Sequence, residues 1–322
     1  MLLDLASLFG GLAILLIAGD VLVRGSVSLA QRLGIPSLII GLTIVAFGTS
    51  APEFVISVRA ALDGAGGIAI GNVVGSNVAN VLLVLGLPSI LAATYCGDEG
   101  VTRSASFMIA VSLVFALFCY FGVIDRAAGV MLLALLVIFL TASVNVARKA
   151  RRDRRRNELE AIDDEVGGVP SRLAVAIFFL VAGLAALPVG AQLTINGAVS
   201  IARAWHVSDT AIALTIVALG TSLPELSTTL MSAVRGHTGV AVGNIVGSNI
   251  FNLLAIIGAT ALIAPIAVPA EIVSFDIWAM LATSVLILLF AAFSATIGRV
   301  TGIAMTAGYA LYIVIVFQIG AA

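Results

Sequence analysis

The segment Ile44-Val45-Ala46-Phe47-Gly48-Thr49-Ser50-Ala51-Pro52-Glu53 returns in the second half of the chain as Ile216-Val217-Ala218-Leu219-Gly220-Thr221-Ser222-Leu223-Pro224-Glu225. A second block, Gly71-Asn72-Val73-Val74-Gly75-Ser76-Asn77-Val78-Ala79-Asn80, returns as Gly243-Asn244-Ile245-Val246-Gly247-Ser248-Asn249-Ile250-Phe251-Asn252 at the same offset, with no gap between the blocks. About half of the positions from Gly41 to Gly86 match their counterparts. A chain that repeats itself at a fixed offset builds one structural unit twice. Whatever the first half forms, the second half forms again.

The medium of that unit follows from composition. Of 322 residues, 61% are hydrophobic and only 10% are charged, against roughly 25% charged in a soluble domain. A soluble enzyme is excluded. Ten apolar segments span 5–30, 36–61, 68–93, 104–121, 124–147, 171–200, 208–233, 240–264, 275–293 and 300–320. Each is close to the roughly 20 residues a helix needs to cross a bilayer. The first lacks a basic leader and runs through Gly19-Asp20 into Arg24, so it reads as a membrane helix and not a cleaved signal. A net charge of −1 offers no basic field to nucleic acid. Cys96 and Cys119 are no disulfide framework. The expected fold is an all-α integral membrane protein of about ten spans. Two five-span halves, 1–147 and 171–322, flank a charged stretch at 148–170.

Five spans separate equivalent positions, and an odd number turns the two halves opposite ways in the membrane. Inverted repeats of this kind build secondary transporters, with ions bound near the midplane at the repeat interface. The one extended polar stretch begins with the basic run 148–156 and turns acidic at Glu158, Glu160, Asp163, Asp164 and Glu165. Short basic loops stay on the cytoplasmic side. The expected topology therefore has a cytoplasmic central loop, both termini outside, and a cell (plasma) membrane location. The basic run is also a candidate contact for anionic lipid, at about 1 kcal/mol per Lys or Arg, although a solvated hinge that sets topology explains it more simply.

Each half carries the same chemistry. Pro52 has no N–H and displaces the carbonyl of Gly48, and Pro224 does the same to Gly220, so a helix breaks at Gly-Thr-Ser-x-Pro-Glu in mid-span. At membrane depth, freed carbonyls need a cavity, water or a bound cation. Helical spacing gathers Ala46, Thr49, Ser50 and Glu53 on one side of the break. Asn72, Ser76 and Asn80 are spaced by four on the next span, beside Gly71 and Gly75, which allow close backbone approach. Asn244, Ser248, Asn252, Gly243 and Gly247 repeat the set. A mid-span carboxylate is costly, and Glu53 and Glu225 facing each other would repel unless protonated or bridged by a cation. Hydroxyls, amide oxygens and carbonyls are ligands of hard cations such as calcium. Neither block holds His or Cys, which argues against zinc, copper or iron.

These paired blocks resemble the alpha repeats of the cation/calcium antiporter superfamily, sodium/calcium exchanger type, and the resemblance covers nearly the whole chain. It implies that Glu53 and Glu225 are central calcium ligands, assisted by the carbonyls of Thr49 and Thr221. It implies sodium-binding roles for Ser50, Ser76, Ser222 and Ser248 with the carbonyls of Ala46 and Ala218, and places Asn80 and Asn252 beside the glutamates. Transported calcium and sodium, the lipid bilayer and no cofactor complete the expectation. Potassium-dependent members place acids in the second block; here both positions are Asn, which resembles the potassium-independent type. Exchange would be electrogenic and export calcium. His206 and His237 fall at helix ends. Asp20 and Arg24, four apart, read as an ion pair within the first span rather than as a gate. A proton/calcium antiporter remains as the alternative, with a passive cation channel and an intramembrane hydrolase further behind; the hydrolase lacks a paired-Asp or Ser/His arrangement.

Overall fold

A computed structural model describes residues 1–157, 172–206, 216 and 218–320. Twelve helices follow in order. They are α1 (Leu2–Leu33), α2 (Ser37–Thr49), α3 (Ala51–Leu62), α4 (Gly66–Leu91), α5 (Val101–Tyr120) and α6 (Arg126–Asn157), then α7 (Leu173–Ala204), α8 (Ala218–Thr221), α9 (Leu223–Val234), α10 (Thr238–Ile263), α11 (Ile272–Ala292) and α12 (Arg299–Gly320). Among the described residues, eight helices are long and apolar enough to cross a membrane, or nine if the bent pair α2 and α3 counts as one span. The start of the span expected at 208–233 and the acidic stretch from Glu158 to Glu165 lie outside the described residues.

The surface inverts the soluble pattern. Large apolar side chains such as Leu117, Ile138, Phe178 and Leu311 are exposed, while Glu53, Asn77, Glu225 and Asn249 are almost wholly buried. Bilayer-facing helices have this distribution, because polar groups find partners only inside the protein. At the centre lies α10, buried from Gly239 through Phe251.

Helices α1 and α7 pack side by side and antiparallel. A Cβ on Gly25 would lie 2.7 Å from Leu180 N, one on Gly183 2.7 Å from Leu22 Cβ, and one on Gly197 2.6 Å from Leu8 N. The partner numbers descend along α7 as they rise along α1, and small residues permit the approach.

Four two-residue strands link the helix ends: β1 (Thr94–Tyr95), β2 (Val123–Ile124), β3 (Ile266–Ala267) and β4 (Thr296–Ile297). In sequence β3 repeats β1 and β4 repeats β2, yet β1 pairs with β4 and β2 with β3, both antiparallel. The same partner exchange joins Gly302 to Gly86 and Gly129 to Gly258, where an added Cβ would press on the facing carbonyl at 2.6 and 2.9 Å. The repeat thus extends to the last span, Ile124-Asp125-Arg126 matching Ile297-Gly298-Arg299 at an offset longer by one residue.

Two expectations change, and one feature is added. The basic run is a helical extension of α6 through Asn157, not a loop, as far as it is described; Arg and Lys are good helix formers. The second block does not break its span. Instead α4 and α10 continue through π-helical turns at Asn80–Leu85 and Asn252–Ile256, local widenings that are frequent at functional sites. Asp20 does more than pair with Arg24, whose Nε lies 3.8 Å from it. Its close partner is Arg235, at the end of α9, which ties α1 to a site helix.

Candidate cation site

The break in the first block falls at Ser50, whose backbone (φ −81°, ψ 8°) separates α2 from α3 with a bend of 46°. Ser50 N–H bonds Ala46 O at 3.1 Å and Phe54 N–H bonds Ser50 O at 3.1 Å, while Pro52 has no N–H to offer Gly48. Ser222 (φ −85°, ψ 5°) repeats the break between α8 and α9, with Leu226 N–H on Ser222 O at 2.9 Å. The second halves of both broken helices start at the site, so Glu53 and Glu225 stand in the first turn of α3 and α9. There the helix dipole favours negative charge.

Glu53 and Glu225 are each 1% exposed. Among the described residues, no Lys, Arg or His forms an ion pair with either. Hydroxyls from the opposite half face them. Ser50 Oγ donates to Glu225 Oε1 at 3.0 Å, with Thr49 near Glu225 and Thr221 near Glu53. Thr49 Oγ1 further lies 3.1 Å from Asn244 Oδ1 and 3.3 Å from Ala46 O.

Asparagines frame this pair in matched fashion. Asn72 Nδ2 donates to Glu53 O (3.3 Å) and Ser57 Oγ (3.0 Å), and Asn244 Nδ2 to Glu225 O (3.4 Å) and Thr229 Oγ1 (3.1 Å). Between α4 and α10, Asn80 Nδ2 donates to Asn249 Oδ1 (3.0 Å) and Asn252 Nδ2 to Asn77 Oδ1 (2.9 Å). With their Nδ2 groups held there, Asn80 Oδ1 and Asn252 Oδ1 have no hydrogen-bond partner, and neither do Glu53 Oε2, Glu225 Oε2, Ser222 Oγ or Ser248 Oγ. An unpaired buried polar atom costs about 1–3 kcal/mol. Six hard oxygens in one buried constellation, with two carboxylates and no basic side chain, have the chemistry of a cation site.

The two blocks lie side by side in the interior. Thr49, Ser50, Glu53, Ser76, Asn80, Thr221, Ser222, Glu225, Ser248 and Asn252 are buried there; Ala46 and Ala218 contribute backbone at the two breaks. His206 follows α7 and His237 precedes α10, both at helix ends. Asn77 and Asn249, which hold the amides of Asn252 and Asn80, are an addition that spacing by four did not select; their signal was their own place in the repeated Gly-Ser-Asn-x-x-Asn.

The glycines behave unequally. A Cβ on Gly243 would lie 2.7 Å from Leu38 O and one on Gly247 2.6 Å from Leu42 O, so α10 is pressed onto α2. Their counterparts do not allow the expected close approach: Gly71 has only Ile272 Cδ1 at 4.0 Å, and Gly75 nothing within 4 Å. Both face a largely apolar cavity of about 460 Å³ that reaches Asn72, Ser76, Ala79 and Thr221.

Known proteins share this arrangement. The sequence profile described as sodium/calcium exchanger protein matches residues 3–145 and 175–318. The chain is 35% identical to the inner membrane protein YrbG of Escherichia coli over 98% of each chain. It is 32% identical to the sodium/calcium exchanger MaX1 of Methanosarcina acetivorans, over 96% of this chain and 97% of the relative. A solved structure of the sodium-calcium exchanger NCX_Mj superposes with a TM-score of 0.83 at 30% identity, over 98% of this chain and 99% of that one. The chain is a multi-pass membrane protein that belongs to the sodium/calcium exchanger family of antiporters.

Proposed function

We propose that this chain exchanges calcium for sodium by alternating access, holding the transported cation between Glu53 and Glu225. The observation that carries the reading is the set of six unpartnered buried oxygens, one from each of those two carboxylates and four from Asn80, Asn252, Ser222 and Ser248. Calcium takes six to eight oxygens in flexible geometry. Glu53, Glu225, Asn80 and Asn252 offer oxygens to it, with the carbonyls of Thr49 and Thr221. Ser50, Ser76, Ser222 and Ser248, with the carbonyls of Ala46 and Ala218, suit smaller charges distributed around that centre.

One calcium neutralises the two carboxylates, and so do two sodium ions. A further sodium on the serine side would carry net charge across in each cycle, making exchange electrogenic. The bare dianionic pocket is costly to enclose, so only loaded forms cross. Asn80 and Asn252 add oxygen without charge, which supports independence from potassium.

The halves stand in opposite orientations in this reading. Antiparallel α1 and α7, the exchanged strand pairs and the matched asparagines support that arrangement. Access is from the side of the cavity, whose lining gathers along α4 from its start, at the start of α11 and on the second half of α12. With the basic end of α6 cytoplasmic, that side is extracellular. The opposite side is closed by α10 on α2 and by Asp20 with Arg235. The sodium gradient then drives calcium out of the cell.

The test is calcium flux in proteoliposomes under an imposed sodium, proton or potassium gradient. The reading expects flux with sodium alone, a dependence on membrane potential, and no potassium requirement. Flux driven by protons and indifferent to sodium would replace sodium with proton coupling, and flux without any counter-gradient would mean a channel.

A further inference from the structure

The cavity holds a carboxylate that the central site does not use. Asp276 ends a π-helical turn at the start of α11, is 8% exposed, and lines the cavity together with Tyr309 and Tyr312. Tyr312 Oη donates to Asp276 Oδ1 at 2.7 Å. The Tyr312 ring is stacked on Phe275, with centroids 5.9 Å apart, and lies against Tyr309 at 6.2 Å. Among the described residues no Lys, Arg or His pairs with Asp276.

The scaffold does not require this acid. At the repeat's offset, Asp276 corresponds to Ser104, which bonds Gly100 O at 3.0 Å on its own helix. The register is secured by Ser112 on Met108 O and Ser284 on Met280 O, both 2.8 Å. Tyr312 corresponds to Phe139, and Ala79, at the inner end of the cavity, to Phe251. At the repeat-related place these positions form an aromatic cluster, Phe107 stacked on Phe139 at 5.3 Å and Phe139 edge-on to Phe251 at 6.4 Å. One of the two repeat-related places is thus filled with rings. The other is open and has a carboxylate and phenols on the wall.

We propose that Asp276, fixed by Tyr312, is an outer station where an incoming hard cation, sodium or calcium, pauses partly hydrated on its way to Glu53 and Glu225. In a cavity with apolar walls, the field of one carboxylate is screened less than in water and raises the local cation concentration. Tyr312 occupies Oδ1 and fixes the carboxylate's direction, while the cavity leaves room for the ion's own water. One negative charge neutralises sodium fully and calcium by half, so the station holds ions loosely enough to release them inward. The central pair, with two charges and more oxygens, outcompetes it.

The inference rests on the exchanger reading, and the experiment separates the two. Sodium-dependent calcium flux is measured in right-side-out and inside-out vesicles for the wild type, Asp276→Asn, Asp276→Ser and Tyr312→Phe. Asp276→Ser installs the residue the chain carries at position 104. Both Asp276 variants are expected to raise the apparent KM for calcium and sodium on the cavity side by about 5-fold at low ionic strength, with maximal flux and the opposite-face KM unchanged. In about 1 M impermeant salt, where screening acts within about 3 Å, the difference should nearly vanish. Tyr312→Phe keeps the charge that attracts the ion and should stay within about 2-fold of the wild type. A change in KM for one ion alone would assign the station to that ion. Unchanged cavity-side KM, equal changes on both faces, a salt-independent change, an altered pH profile with normal KM, or failure of both Asp276 variants to fold would each overturn it. Absence of sodium-dependent flux in the wild type would instead refute the exchanger reading.

Discussion

Asn77 and Asn249 hold one another across the middle of the molecule: Asn77 Nδ2 donates to Asn249 O at 3.3 Å, and Asn249 Nδ2 donates to Asn77 O at 3.2 Å. Their Oδ1 atoms in turn receive the amides of Asn252 and Asn80. This leaves Asn80 Oδ1 and Asn252 Oδ1 without a partner in the site. The asparagine quartet therefore both joins the two halves and leaves two neutral oxygens free in the candidate site.

Removing either centre of the quartet strands its partners. Asn77→Ala or Asn249→Ala should each cost about 1–3 kcal/mol, the cost of an unpaired buried polar group, read as a fall in thermal unfolding temperature in detergent. The double variant should lose less than the sum, because both changes remove the same bonds. Full additivity would mean that the two residues are not coupled.

The glycines should respond unequally to one added methyl group. Gly247→Ala would press against Leu42 O at 2.6 Å, whereas Gly75→Ala meets nothing within 4 Å. Gly247→Ala should lower thermal stability by about 1–3 kcal/mol, the usual cost of overpacking, and Gly75→Ala should not. Gly75→Ala should nonetheless slow transport if the cavity closes by the approach Gly247 already makes. Wild-type flux in that variant would contradict this.

The tie between Asp20 and Arg235 should act on the balance of states more than on stability. Both side chains are partly exposed, at 19% and 31%, so the loss in Asp20→Asn should stay below about 1 kcal/mol. Val240, wholly buried where α10 meets Gly41, should become reactive as Val240→Cys once Asp20→Asn releases α1. The double exchange Asp20→Arg with Arg235→Asp should restore protection.

Topology can be read with single cysteines in the natural background. Cys96 and Cys119 are free and buried, and burial, with Asp98 adding to it, pushes the Cys96 thiol up to about 12, so neither should react. Arg152→Cys should label from the cytoplasm and Ala270→Cys from outside. Labelling of both from one side would undo the opposed orientation of the halves.

The legible parts of this protein are those with local causes. Pro52 and Pro224 lack an N–H, and the helices turn at Ser50 and Ser222, where sequence places them. Glu53 and Glu225 stand out because a carboxylate is expensive in an apolar span. Asn77 was harder to select because it lies off the Asn72-Ser76-Asn80 face and meets its partner only across the fold. The π turns after Asn80 and Asn252 have no residue signature in a run of Leu, Val and Ile. Gly75 and Gly247 sit in the same Val-Gly-Ser-Asn tetrapeptide in sequence and in opposite surroundings in space, because which side is closed belongs to the conformation. The ion pair of Asp20 with Arg235 links positions too distant in the chain for periodicity to reveal.

The central claim is that Glu53 and Glu225 hold the transported cation, and calcium binding to purified Glu53→Gln and Glu225→Gln tests it most directly. Calorimetry in detergent would be paired with sodium-driven calcium flux after reconstitution. Gln keeps the shape and one oxygen but halves the charge facing calcium, so each variant should remain folded and membrane-inserted while binding and flux fall to background. Near-normal calcium binding and flux in either folded variant would contradict the account.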